Sequence, residues 1–375
     1  MRTGKDPKVL VAVAGTTRAW ELCWDGFASN VLDELGADLA LCTGDRDPRP
    51  NPFYERAKYA WSFEQPDDWA DVYDRVVGDP SWRALLRPGD HLLGGIRSTE
   101  HPQPAVGALV IYMRWLLKQY LVRSGLIAKY DWLILTRSDF LWELPHPRLR
   151  YLSQRRVYTF DGEHYGGISL RHLIAPRRHA ERLLSLYDPV FTEPEQLRRR
   201  LDRRCTVEGW PFLNLEQFHA ARLKELGFWR RLRFLPYIPY TVRAPGGLTG
   251  WSVGEFDDRL GFYVKYPTER ERSEITRGFV SDRYSWGSYL APVRGAPARR
   301  RLRRSYRERG LYERPFPFRQ APRRAYRMAR WGISQLPELR KRAEIPVGRQ
   351  LRRLPGASPL LDARLRRIRR RPPTP

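Results

Sequence analysis

In the stretch Tyr130-Asp131-Trp132-Leu133-Ile134-Leu135-Thr136-Arg137-Ser138-Asp139-Phe140, a short apolar run ends abruptly in a cation, a hydroxyl and a carboxylate. A run that is short, apolar and bounded by polar residues has the signature of a fully buried strand. In open α/β sheets, ligands sit in the crevice outside the carboxyl ends of the strands. Arg137, Ser138 and Asp139 therefore stand where binding chemistry belongs. The plainer alternative is an ion pair between Arg137 and Asp139 on a surface loop, since structural pairs also collect at such places.

Upstream of this strand, residues 104–124 carry apolar side chains at Val106, Leu109, Val110, Met113, Leu116, Leu117, Tyr120 and Leu121. This is the i, i+3, i+4 spacing of an amphipathic helix. Pro104 suits its first turn and Gly125 its end. At the start of the chain, residues 8–14 read as a buried strand, Gly15-Thr16-Thr17-Arg18 as a turn, residues 20–35 as a helix and residues 38–42 as a second strand. Strand, turn, helix and strand make a βαβ unit, which predicts a parallel sheet. The Gly15 turn can offer backbone N–H groups to a phosphate at the helix start. With one glycine, it is not the three-glycine dinucleotide fingerprint.

Downstream, strands are expected at 156–160, 168–175, 232–235 and 240–243, and helices at 176–187, 194–204 and 214–226. Asn214 and Gln217 have the spacing of a capping box. Between two of these strands lies the acidic, glycine-bearing loop Asp161-Gly162-Glu163-His164-Tyr165-Gly166-Gly167. Residues 251–266 are aromatic and less regular, and residues 268–276 read as a charged helix.

The charge is uneven. The chain of 375 residues carries a net +26, yet residues 291–375 alone hold 26 Lys and Arg against 5 Asp and Glu. The first 290 residues have an ordinary globular balance. The expected organisation is thus a domain over 1–290 and an Arg-rich tail over 291–375, partly helical or disordered, with small amphipathic pieces at 299–309, 323–333 and 361–371. Arg outnumbers Lys 60 to 8, a bias that GC-rich genomes produce, so Arg abundance alone does not signal nucleic-acid recognition. Cys23, Cys42 and Cys205 are far apart and odd in number, without metal-ligand spacing or a disulfide framework. The first residues lack a secretory apolar segment, and no stretch reaches the roughly 18–20 apolar residues of a spanning helix. A cytoplasmic location is expected.

Three pieces, in this order and spacing, resemble bacterial glycosyltransferase-like proteins of surface-polysaccharide synthesis. They are the opening strand into Gly15-Thr16-Thr17-Arg18 and its helix, the long helix leading into residues 130–139, and Asn214-Leu215-Glu216-Gln217 followed by Gly227 and a strand ending in Val242-Arg243. The resemblance covers roughly residues 8–245. It implies a GT-A-like, Rossmann-like α/β fold with a mostly parallel sheet flanked by helices, and a transferase using a nucleotide-diphosphate sugar. In that fold a short acidic motif after a central strand holds Mn²⁺ or Mg²⁺ on the diphosphate. Arg137-Ser138-Asp139 occupies its place, with Arg137 standing where the first carboxylate is usual. Asp139 remains as metal ligand, and Gly15, Thr16, Arg18, Arg137, Ser138 and Arg243 as nucleotide-sugar contacts. Such a site needs cations near the developing diphosphate charge, which Arg supplies bidentately. It also needs a base or a nucleophile. Glu216, Asp161 and His164 are the candidates, against plain roles as a first-turn helix acid, a solvated loop acid and an exposed loop histidine.

The preferred partner of the basic tail is an anionic membrane surface, where each Lys or Arg gains roughly 1 kcal/mol. That would place the protein at the inner face of the plasma membrane, near a glycan or lipid-linked acceptor. The rival readings are a solvated tail, a non-catalytic scaffold of the same fold, and a nucleic-acid-binding protein. The last is disfavoured because the charge lies outside the folded body and no nucleic-acid motif accompanies it.

Overall fold

A computed structural model of the chain describes residues 6–44, 50–97, 106–247, 252, 254–280, 285–291 and 293–312. The apolar runs form the middle of a seven-stranded sheet. Its strands are β1 (Val9–Ala14), β2 (Asp38–Thr43), β3 (Ala57–Ser62), β4 (Trp132–Thr136), β6 (Val157–Phe160), β7 (Leu173–Pro176) and β8 (Leu232–Leu235). Their order is β3-β2-β1-β4-β7-β6-β8. Pairings among β3, β2, β1 and β4 are parallel, as is that of β6 with β8, whereas β7 runs antiparallel to both of its neighbours. This is the mostly parallel, helix-flanked α/β class that the sequence predicts. β5 (Phe140–Leu141), β9 (Tyr240–Arg243), β10 (Glu255–Asp257) and β11 (Phe262–Val264) make a second, antiparallel sheet in the order β10-β11-β9-β5.

Side chains alternate across a strand, and β1 shows how this divides the core. Leu10 and Ala12 join Leu133 and Leu135 of β4 on one face, covered by Met113, Leu117 and Leu121 of the helix Gly107–Arg123. Val9, Val11 and Val13 join Trp132 and Ile134 on the other, covered by Phe27 of the helix Trp20–Phe27. Helices on both faces explain why these strands read as unbroken apolar runs. β3 was not expected. It is the edge strand, its residues are alternately half-buried and exposed, and it therefore lacks an apolar run. The strand expected at 168–175 shrinks to Leu173–Pro176. Pro104 lies outside the described residues. The capping box at Asn214 and Gln217 is present, with both reciprocal bonds.

The packed body continues past residue 291. The helix Ala296–Glu308 buries Ala298, Leu302 and Tyr306 against Ile275 and Phe279 of the helix Pro267–Val280. The first part of the basic segment thus uses an i, i+4 apolar stripe to join the fold. The amphipathic pieces expected at 323–333 and 361–371 lie outside the described residues. Among the described residues, no helix is long and apolar enough to cross a membrane.

Candidate functional site

The site lies at the carboxyl ends of β1 and β4. Parallel pairing sets Val13 beside Thr136, so the turn after β1 meets the Arg-Ser-Asp turn after β4. The Ser138 hydroxyl donates to the Thr16 carbonyl at 2.8 Å, locking the two turns together. That use explains its burial. The Gly15 N–H donates to the Cys42 carbonyl at 3.0 Å, extending the β1–β2 ladder rather than facing a phosphate. Thr16 and Arg18 are half-buried in the same turn.

Asp139 is buried and gripped twice. Arg137 forms a bidentate fork on it, with Nε to Oδ1 and Nη2 to Oδ2 both at 2.7 Å. Arg243 bonds the second oxygen from the opposite side. Burial raises the Asp139 carboxyl, but Arg137 and Arg243 outweigh it and hold the group well below the usual carboxylate range. The ion pair of the plainer alternative exists, but inside the protein: the Asp139 and Arg243 side chains are 5% and 3% exposed, while Arg137 keeps 31%.

Two further cations complete the cluster. Arg171, two residues before β7, comes close enough to Arg137 to repel it. β9 lies between β5 and β11, so Arg243 at the end of β9 and Lys265 just after β11 converge on Asp139. The Lys265 N–H donates to the Thr241 carbonyl at 2.8 Å, fixing its position. Lys265 is 8% exposed. Burial and the guanidiniums of Arg243, Arg137 and Arg171 push its ammonium down to about 6. Arg171 pairs with the buried Glu269 and packs over Tyr266 at 4.5 Å and Tyr165 at 5.5 Å from the ring centroids.

The loop 161–167 forms the next wall. Glu163 and Tyr165 adopt positive φ of 54° and 44°, which costs roughly 1–2 kcal/mol per residue. Glu163 is held there by Arg272, by the Tyr165 hydroxyl and by the Thr268 hydroxyl at 2.7 Å. Gly167 touches the start of the helix Leu215–Glu225 so closely that a Cβ there would lie 2.0 Å from the Glu216 carbonyl oxygen. The Asn214 amide donates to the Tyr165 carbonyl at 2.9 Å, and the Ile168 N–H to that of Glu216 at 2.8 Å. Glu216 is thereby brought to Arg171, Glu163 and His164. Burial raises its carboxyl, only partly offset by Arg171. A partly exposed carboxyl with a raised pKa is suited to carrying a proton.

The other two base candidates fare differently. His164 is buried at 2% exposure rather than exposed, with the Gly162 and Ser169 N–H groups each 3.2 Å from one of its ring nitrogens. A neutral ring can accept only one of these, so the histidine props the loop. Asp161 interacts with His164 and with Tyr289 and Tyr306 of the C-terminal helices, not with the Arg137 cluster.

The expected Mn²⁺ or Mg²⁺ does not fit these residues. Both oxygens of Asp139 are taken by guanidiniums, and cations surround it. Among the described residues, no group of three or more His, Cys, Asp or Glu side chains is placed to hold a metal ion. The three cysteines are free and buried. A groove of about 540 Å³ along the helix Pro194–Glu208 is lined by Gln196, Arg199, Arg200, Asp202 and Arg203, none of which belongs to this site. Arg171, Lys265, Glu269 and Arg272 were not anticipated. Their one signal was Lys265, a lysine between Val264 and Tyr266 in a chain with 8 lysines.

No protein-family model and no curated protein sequence matches this chain. Among solved structures, it is similar to the apo form of mouse xyloside xylosyltransferase 1, at 10% identity over 61% of this chain and 85% of that one, with a TM-score of 0.34. A likeness at that level carries no argument about function.

Proposed function

We propose that this chain is a glycosyltransferase that moves a sugar from a nucleotide-diphosphate donor to a hydroxyl of a glycan or lipid-linked acceptor. The observation that carries this reading is the convergence of Arg137, Arg243, Lys265 and Arg171 at the carboxyl edge of a mostly parallel sheet, beside a carboxyl raised by burial. Glycosyl transfer breaks the bond between the anomeric carbon and the diphosphate, and the electron pair leaves on a phosphate oxygen. Preorganised cations stabilise charge that develops there. The acceptor oxygen forms the new bond to that carbon, and Glu216 takes its proton. Bacterial surface-polysaccharide synthesis is the setting that the three-piece sequence resemblance supports. The basic segment would hold the enzyme near an anionic leaflet.

The grip on Asp139 favours a second reading, a scaffold that binds the donor without turning it over. The two separate in one assay. The full chain is incubated with UDP-, GDP- and dTDP-sugars, with and without Mn²⁺, and donor hydrolysis and binding are followed. Slow hydrolysis of one donor, lost in Glu216→Gln with binding kept, is expected. Binding with no hydrolysis selects the scaffold, and a panel that neither binds nor reacts overturns the glycosyltransferase reading.

A further inference from the structure

The site handles charge without the element that its sequence position calls for. A metal-binding carboxylate needs free oxygen lone pairs, and hard cations take oxygen ligands. Both Asp139 oxygens are instead engaged by guanidiniums, Oδ1 by Arg137 and Oδ2 by Arg137 and Arg243. The carboxylate serves as the internal counterion of two guanidiniums and fixes their planes. It balances one of those two charges, and Lys265 adds a third cation when an arriving anion draws a proton onto it. Glu163 and Glu269 are engaged elsewhere, by Arg272 and Arg171.

Two donors in this cluster remain open. The Arg243 Nε is buried and has no hydrogen-bond partner among the described residues. The Lys265 ammonium forms no hydrogen bond among the described residues and lies over the Tyr266 ring, 5.2 Å from its centroid, in a side chain that is 8% exposed. A buried donor without a partner, such as the Arg243 Nε, is costly and calls for an explanation. An anion that reaches the cluster supplies acceptors for them and adds the negative charge that the cluster lacks. Arg137, 31% exposed, forms the edge facing solvent.

We infer that Arg137, Arg243 and Lys265 form a metal-independent diphosphate site, in which guanidinium and ammonium groups take the role that a divalent cation plays in an acidic-motif site. The inference rests on the nucleotide-sugar reading for the identity of the whole ligand, but not for the anion itself. Asp139 is then a positioning residue that presents the two arginines. Lys265 is a catalytic residue that touches the diphosphate as it leaves with the electron pair of the broken bond.

The test is a calorimetric titration of the full chain with inorganic pyrophosphate and with UDP, GDP and dTDP, each in EDTA and in Mn²⁺. Pyrophosphate and one nucleoside diphosphate are expected to bind in EDTA, with Mn²⁺ strengthening neither by more than about threefold. A lost charge-assisted hydrogen bond weakens binding by about tenfold or more, so Lys265→Met is expected to lose at least that much affinity. Its melting temperature should be kept or raised, because the exchange replaces a desolvated amine with an apolar side chain of similar length. A purely structural lysine would give the opposite pattern. Binding that appears only with Mn²⁺ overturns the inference and leaves the nucleotide-sugar reading standing. Pyrophosphate binding in EDTA with no nucleoside diphosphate bound keeps the anion site and removes that reading. Unchanged affinity in Lys265→Met, or no binding of any probe, overturns the inference.

Discussion

Replacing Asp139 with Asn separates a structural counterion from a metal ligand. Asn keeps the shape and one acceptor but removes the charge that balances two guanidiniums. Arg137, partly exposed, can turn its charge to water. Arg243, 3% exposed, cannot, and it stays beside Lys265 as an uncompensated buried cation. Breaking such a pair from one side costs about 3–5 kcal/mol. For a body of this size that is on the order of 10 °C in melting temperature. The assay is thermal and urea denaturation of wild type, Asp139→Asn, Arg243→Gln and the double variant, all in EDTA. The double variant removes both charges and is expected to recover at least about 2 kcal/mol of the summed single losses, the mark of direct coupling. A metal ligand behaves otherwise: without metal, its neutralisation leaves stability unchanged or improves it. An Asp139→Asn protein that melts within about 2 °C of wild type, with additive single losses, would refute the counterion assignment.

Three further outcomes are expected. His146 and His172 face each other in the core with Nε2 atoms 3.2 Å apart, and His172 also meets the Thr136 hydroxyl at 3.0 Å. Burial pushes His146 down to about 4 and His172 further below its ordinary value. The unfolded chain therefore binds more protons below about pH 6.5, and stability is lost as pH falls from there toward 4. His146 alone accounts for about 3 kcal/mol, which urea midpoints across that range will read; His146→Leu should flatten the slope. Gly167→Ala drives a Cβ into the Glu216 carbonyl oxygen at 2.0 Å, backbone against backbone. A loss of about 1–3 kcal/mol or more, together with lost donor hydrolysis, is expected in denaturation and turnover assays. Lys265, pushed down to about 6 by burial and by Arg243, Arg137 and Arg171 against the single attraction of Asp139, is largely neutral at pH 7. Anion binding should draw a proton onto it, so binding enthalpies at pH 7 will vary with buffer ionisation heat, and affinity will fall as pH rises above 6.

The elements that the sequence made legible are those whose burial is symmetric. β1, β2 and β4 are covered on both faces, so an unbroken apolar run is their only possible pattern. β3 is half-buried at the edge and carries no such run. The reversal of β7 was illegible, because pairing direction depends on where the chain returns, not on the composition of the strand. The shortening of that strand follows from Arg171 and His172, which leave the ladder for the site and the core. In the site, Arg137, Asp139 and Arg243 were legible from position at strand ends. Arg171 and Arg272 were not, since a chain with 60 arginines hides two functional ones. Ser138 and Gly15, read as ligand contacts, also bond the backbone at the neighbouring strand ends. Composition marked the change at residue 291, while the stripe Ala298, Leu302 and Tyr306 carried the fold beyond it.

The most direct measurement is a crystal structure of the full chain soaked, in EDTA, with the nucleoside diphosphate that binds best. Diphosphate density lying against Arg137, the Arg243 Nε and the Lys265 ammonium, with the Asp139 fork intact, is the expected result. A nucleotide bound away from these residues, or a diphosphate that enters only when Mn²⁺ is added and Asp139 leaves Arg137 to ligate it, would contradict the account.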